Sequence, residues 1–311
     1  MTIAIVTSRK KQELEYIWFT PEFDAPSPGL QPHSPASGRE NDSAVCKTSP
    51  IPFAGEGSGE RTDCAASSLE KNRNRSGVAP LVFLHEGLGS IALWRSFPQK
   101  LCERVQRRGI AYSRYGYGNS TPRPLEEPLP PDYLEHEASE TLPAFLNALH
   151  IERPWLIGHS DGGTIALLAA AGKVVPLAGI VVIAPHYFVE DICLAGIERA
   201  RSAYETDGLR VKLARYHQGT DSVFYGWHNV WTDPNRRDWN IAAELEQIAC
   251  PLLAIQGRED EYATLEQIEG IKRRAPHTEL VVVENCGHFP HFIHADTVIE
   301  RIAAFVEKVE A

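Results

Sequence analysis

Short, nearly unbroken apolar runs rich in β-branched residues recur along the chain from residue 78 onward: APLVFLH (79–85), GIAYSRY (109–115), RPWLIGH (153–159), LAGIVVIAP (177–185), CPLLAIQG (250–257) and ELVVVENCG (279–287). Continuous runs, as opposed to alternating ones, suit strands buried on both faces. Helical periodicity lies between them. In 132–149, Leu134, Ala138, Leu142, Phe145, Leu146 and Leu149 share one helical face, and Asp132 with Glu135 forms a capping box at its start. In 295–310, Val298, Ile302, Phe305, Val306 and Val309 repeat the pattern. Strands alternating with helices predict right-handed crossovers and a mostly parallel sheet covered on both sides.

Two segments break the alternation. Residues 186–248 carry helical patterns and many aromatics, among them Tyr187, Phe188, Tyr204, Trp227, Trp231 and Trp239. An insertion of this length between strands predicts a helical lid over the carboxyl edge of the sheet, where ligands bind in open α/β folds. Residues 26–77 are dense in Pro, Ser, Gly, Asn and charge, with Leu30, Val45, Ile51, Phe53 and Leu69 as the large apolar side chains. So little apolar surface does not offset the entropy of ordering, so the segment reads as disordered or extended. It separates an N-terminal strand region, 1–25, in which ELEYIWFTP (13–21) has strand character, from the core at 78–311.

Composition narrows the function. The 311 residues include 31 basic and 41 acidic side chains, a net charge of −10. Such a balance repels a phosphate backbone, and the one small basic run, KNRNR at 71–75, reads as solvated linker, so no nucleic-acid partner is expected. Six cysteines without a C-x-x-C pair suit thiols in a reducing cytosol, so a cytoplasmic location is expected. The apolar run at the N-terminus is too short for a secretory segment. No apolar stretch of about 18 residues occurs, so no membrane span is expected.

The chemistry is carried by Gly158-His159-Ser160-Asp161-Gly162, a G-x-S-x-G pattern between the apolar strand ending at Ile157 and the helical run from Thr164. That setting is a nucleophile elbow, which lifts the Ser160 hydroxyl out of the core beside a helix N-terminus. A serine needs a base, and the base an orienting carboxylate. The strand run ending at Gly257 is followed by Arg258, Glu259, Asp260 and Glu261, and the run ending at Gly287 by His288. Asp260 is the candidate acid, with Glu259 and Glu261 as rivals; His288 is the candidate base. His291 and His294 follow at spacings of three, which raises a zinc-like reading, but no further ligand cluster completes a shell and no metal is expected. The oxyanion hole is assigned to the backbone N–H of Asp161 and of Leu88, the latter in the loop FLHEGLGS (83–90).

Together these residues resemble the α/β-hydrolase superfamily across roughly 79–311, with HEGLGS, SRYGYGNS, GHSDGG, GREDEY and CGHFPH in the family's order. The resemblance implies an eight-stranded, mostly parallel sheet, a lid after the sixth strand and no cofactor. Two positions depart from many relatives: Glu86 precedes Gly87 in the oxyanion loop, and Ser113 stands where aspartate is common. The implied reaction is hydrolysis of a small or medium carboxylic ester through an acyl-enzyme. Lactone, thioester, carbon–carbon and amino-acid-ester hydrolysis share the scaffold, as does a non-catalytic binding module. GHSDGG also resembles the elbow of valacyclovirase-like (biphenyl-hydrolase-like) members, in which the acid after the serine, here Asp161, recognises a substrate ammonium group. Glu86, Gly87, Tyr187, Phe188, Trp227 and Trp231 are the candidate substrate contacts, with a small acyl compound as the expected partner.

Overall fold

The computed structural model describes residues 1–7, 10–21 and 78–311. The segment 26–77, read from sequence as disordered or extended, lies outside the described residues. Residues Met1–Glu22 and Ala79–Ala311 form one compact unit.

An antiparallel hairpin, β1 (Thr2–Val6) and β2 (Lys11–Phe19), opens the sheet. The run forming β1 was too short to register as more than an apolar patch; pairing with β2 makes it an edge strand. The core strands are β3 (Leu81–Leu84), β4 (Gly109–Tyr112), β5 (Trp155–His159), β6 (Gly179–Ile183), β7 (Leu252–Gly257) and β8 (Glu279–Val283). They complete an eight-stranded sheet in the order β1-β2-β4-β3-β5-β6-β7-β8. From β4 to β8 every pairing is parallel, and β2 joins β4 antiparallel. The expected architecture is therefore observed.

Side chains alternate across the pleat and fill two cores. Phe83, Ala111, Ile157, Val181 and Ile255 face α1 (Phe97–Val105) and the C-terminal helix. Val82, Ile110, Leu156, Val182 and Ala254 face the opposite side, with α2 (Leu142–Ala148) and α3 (Asp161–Gly172). Both sides are covered, so the strands read as continuous apolar runs; each buried Leu, Ile or Val contributes about 1.5–3 kcal/mol relative to exposure. Trp155 anchors the far end of β5, with its Nε1 donating to Glu310.

The lid follows β6. Its main helices are α4 (Asp191–Thr206), α5 (Leu209–Leu213) and α6 (Thr220–Trp231). The chain then returns through β7, α7 (Glu266–Arg274), β8 and α8 (Ala295–Glu310). Helix α8 spans nearly the length its periodicity predicts.

The 132–149 segment differs from expectation. It is helical at Tyr133–His136, passes through a π turn at Glu137–Thr141 and resumes as α2. Pro143 lacks an N–H and cannot donate one turn back, which accounts for the break. The Asp132 side chain makes no capping bond, so the capping box does not form. Ser113, the other departure noted in sequence, draws a carboxylate from a neighbouring strand: its hydroxyl donates to Glu15 of β2, which also accepts from the Asn119 amide.

Helix α3 sits unusually close to the sheet. A Cβ on Gly162 would lie 1.9 Å from the Leu84 carbonyl oxygen, and one on Gly158 would lie 2.1 Å from the Gly162 carbonyl oxygen. Backbone cannot yield as a flexible side chain can. Gly162→Ala is expected to destabilise the fold by about 2 kcal/mol or more, read as a lowered midpoint in thermal or urea unfolding.

Candidate active site

Ser160 occupies the joint between β5 and α3 with φ +51° and ψ −116°, a conformation that costs a non-glycine residue energy. The joint is held from both sides: Ser160 N–H donates to Ile183 O of β6 at 2.9 Å, and Thr164 N–H donates to Ser160 O at 3.0 Å. The Ser160 side chain makes no hydrogen bond among the described residues, and the residue is 8% exposed. At the start of α3 the first-turn N–H groups, including that of Asp161, have no intrahelical acceptor.

His288 is carried on the loop after β8. His288 Nδ1 lies 2.9 Å from both carboxylate oxygens of Asp260, and Tyr262 N–H holds Oδ1 at 2.8 Å. The rival acids have different work. Glu259 accepts the Cys286 N–H at 2.7 Å and Glu261 accepts the His288 N–H at 3.0 Å. One acidic run thus fixes both the backbone and the ring of the His288 loop. The loop is tied to the elbow as well, because His159 Nε2 donates to His288 O at 2.9 Å and the two rings are 5.0 Å apart.

Burial alone would lower the His288 pKa, but the Asp260 charge and hydrogen bond outweigh it and hold the imidazole above its ordinary value. Burial raises the Asp260 carboxyl, and the facing imidazole reverses that, leaving it below its usual range. Asp260 is therefore ionised at neutral pH and fixes Nδ1 as the protonated nitrogen.

Sequence reasoning did not single out several side chains that the structure brings here. His186, at the carboxyl end of β6, lies with its ring 5.9 Å from His288 and 5.4 Å from Trp231. Burial and repulsion from His288 push its pKa down to about 3, so it is a neutral imidazole. Arg114, part of SRYGYG, is 4% exposed and donates to the carbonyl oxygens of His85 at 3.0 Å and Glu86 at 2.9 Å, clamping the loop after β3. A polar residue at a strand's carboxyl end was the available signal in both cases.

Asp161 turns its carboxylate into this network. Oδ2 accepts from Tyr133 Oη at 2.6 Å and lies 3.7 Å from Arg114 Nη2, while Trp231 Nε1 donates to Tyr133 Oη at 2.9 Å. Burial pushes the Asp161 carboxyl above its usual range, against the pull of Arg114 and Tyr133. Trp227 lies edge-on to the oxyanion loop: a Cβ on Gly87 would fall 2.2 Å from its Nε1. Glu86 directs its carboxylate beneath its own loop, 3.6 Å from His159 Nδ1. Leu88 is anchored through its carbonyl oxygen, which accepts from His217 Nε2 at 3.0 Å.

Two proposed contacts point elsewhere. Tyr187 places its ring on α7, where a Cβ on Gly270 would lie 2.2 Å from Oη, and its hydroxyl donates to Glu266. Phe188 packs against Tyr187, the rings tilted with centroids 4.6 Å apart. The glycine at position 270 leaves room for the tyrosine ring against α7. His291 is buried against Trp94 and Phe97, and His294 bonds Asn285 O, so the histidine triplet does not converge. Among the described residues no helix is long and apolar enough to cross a membrane.

In the Ser160→Ala protein, His288 should titrate with a midpoint above about 6.5 by nitrogen-15 NMR. Asp260→Asn should bring that midpoint below 6.5, because burial then acts unopposed; an unchanged midpoint would mean the carboxylate does not hold the ring.

The chain is similar to several known hydrolases. Serine hydrolase BPHL of Homo sapiens is 26% identical over 193 residues, covering 60% of this chain and 65% of that protein, so the match spans just under two thirds of its length. The 2-hydroxymuconate semialdehyde hydrolase of Pseudomonas sp. (strain CF600) is 24% identical over 276 residues, 79% of this chain and 93% of that one. In three dimensions, a thermophilic esterase from Thermogutta terrifontis superposes with a TM-score of 0.63 at 16% identity, covering 100% of both chains. Residues 81–301 match the family model described as the alpha/beta hydrolase family, and the chain belongs to that family.

Proposed function

We propose that the protein is a serine hydrolase that cleaves a small or medium carboxylic ester through an acyl-enzyme. The observation carrying this reading is the strained Ser160 at the mouth of α3, together with an imidazole whose Nδ1 is held by Asp260 and whose Nε2 is left to act. In the first half-reaction Ser160 Oγ attacks the acyl carbon and its proton passes to His288 Nε2. The carbonyl oxygen becomes an oxyanion facing the N–H groups of Leu88 and Asp161, each contributing about 3 kcal/mol to lowering the barrier. The C–O bond then breaks and the alcohol leaves with the proton from His288. In the second half, water gives a proton to His288 and attacks the acyl carbon, and the acid departs as Ser160 recovers its proton.

The lid aromatics Trp227 and Trp231, with neutral His186, support a mostly apolar substrate site carrying one polar contact. The engaged state of Asp161 speaks against recognition of a substrate ammonium group, because Arg114 and Tyr133 already face that carboxylate. Carbon–carbon hydrolysis is the second reading, favoured by the named activity of the Pseudomonas relative, whose match spans most of both chains. It would use the same serine and base on a carbonyl with a carbon leaving group. Location in the cytoplasm remains part of the proposal and rests on the free thiols of Cys102, Cys193, Cys250 and Cys286.

A fluorophosphonate probe should label Ser160 in the intact chain, and the chain should hydrolyse p-nitrophenyl acetate or butyrate. Ser160→Ala should abolish labelling and lower kcat by about four orders of magnitude or more with no change in melting temperature. Turnover that survives Ser160→Ala would remove the serine mechanism. A dienone acid cleaved in preference to every ester in a panel would favour the second reading.

A further inference from the structure

The carboxylate of Glu86 has no part in the steps above. It folds under its own loop, and a Cβ on Gly89 would lie 2.4 Å from Oε2. That oxygen is 3.6 Å from His159 Nδ1. The other ring nitrogen, Nε2, is 2.9 Å from the carbonyl oxygen of His288. A carbonyl oxygen can only accept, so Nε2 must carry hydrogen. A neutral His159 would then present the lone pair of Nδ1 to the carboxylate. Two acceptors facing one another inside a protein repel, and His159 is fully buried. One added proton, on the ring or on the carboxyl, turns that repulsion into attraction.

The groups around the pair do not offer another solution. His85 lies on the same loop, and its Nδ1 is spent on the Glu86 carbonyl oxygen. Arg114, from beyond β4, binds that carbonyl oxygen and not the carboxylate. From the lid, His217 holds Leu88 O. His186 faces inward from the end of β6, and His288 and His291 approach from the last loop, with the His291 ring 4.4 Å from that of His159. Burial holds His85, His186, His217 and His291 below the ordinary imidazole value, which leaves Arg114 and, on the far side of His291, Arg95 as permanent cations nearby. Asp161 lies against Gly87, where it is engaged by Tyr133.

We propose that Glu86 and His159 share one proton and act as a positioning couple that sets the oxyanion loop against the loop of the catalytic base. Glu86 belongs to the loop that carries the Leu88 N–H, His159 immediately precedes Ser160, and the Nε2 contact reaches the backbone of His288. Two contacts therefore join the three loops that must keep register during the reaction. Loss of the shared proton at alkaline pH restores the repulsion, displaces the oxyanion loop and lowers turnover. The proposal rests on the serine-hydrolase reading only through its activity readout.

The test compares Glu86→Gln with Glu86→Ala in the full chain. Glutamine offers an N–H to His159 Nδ1 and has no proton to lose; alanine offers nothing. On p-nitrophenyl acetate across pH 6 to 10, the glutamine variant should lose the alkaline decline, while alanine should lose about tenfold or more in kcat at unchanged KM. Nitrogen-15 spectra of histidine in the Ser160→Ala background, which need no turnover, should show His159 Nδ1 protonated or hydrogen-bonded at pH 7 and shifted to a free imine when Glu86→Ala is added. A free imine before that change would overturn the shared proton. An alanine variant matching wild-type kcat and pH profile would overturn the positioning role. Should wild type neither take the fluorophosphonate nor cleave the ester, the hydrolase reading fails and the spectrum alone decides the pair; should the alanine variant not fold, the glutamine variant and the unmodified Glu86 spectrum decide it.

Discussion

The approach of helix α3 to the sheet is the constraint on which the rim of this molecule depends. With a Cβ on Gly162 falling 1.9 Å from a carbonyl oxygen of β3 and one on Gly158 falling 2.1 Å from the Gly162 carbonyl oxygen, no side chain fits at either glycine. The chain can then reverse from strand to helix within one residue, and that residue, Ser160, takes the positive φ. The energy of the strained conformation is offset by the burial of α3, whose Ile165, Ala166, Leu167, Ala169 and Ala170 all belong to the core. A hydroxyl results that cannot retreat into the structure and sits where helix N–H groups gather.

Around that fixed point the protein spends its polar groups on loops more than on substrate. Glu259, Asp260 and Glu261 are consecutive, yet they hold a backbone N–H of Cys286, the ring of His288 and the N–H of His288 respectively. Three acids in a row would repel if they shared a face; each is instead satisfied by a different donor of one loop. Arg114 acts similarly on the opposite side, binding two successive carbonyl oxygens of the oxyanion loop while its charge lies near Asp161. The lid enters this network through Trp231 and Tyr133, so its placement is coupled to the residue that follows the nucleophile.

What sequence could convey follows from these distances. Strands buried on both faces announce themselves as apolar runs, so the parallel core, α8 and the helical character of the insertion after β6 were legible, as was the tight strand-to-helix turn, whose two glycines answer a steric demand. The choice among the three acids was not legible, since spacing places all of them on the same loop and only the direction of each side chain separates them. Tyr187 was misread because an aromatic in a lid suggests a pocket wall, whereas the notch at Gly270, 83 residues downstream by number, receives it. The helix break within 132–149 was written in Pro143 but was outweighed by periodicity, a local rule that the missing N–H overrides. Arg114 and His186 act through partners distant in sequence, so no window contains both halves of their contacts.

The position occupied by Glu86 shows how a departure in one loop can be absorbed by another. A carboxylate beside the oxyanion hole would oppose the charge that develops there, if it faced the substrate. It faces inward instead, and His159, already committed through Nε2 to the His288 carbonyl oxygen, is the side chain best placed to receive it. Burial raises the Glu86 carboxyl, but the bond and charge of His159 prevail and draw it below its ordinary range. The negative charge is thereby turned from the reacting oxygen toward the loop that carries the base, and what would be an electrostatic cost at the oxyanion becomes a tie between the parts of the site.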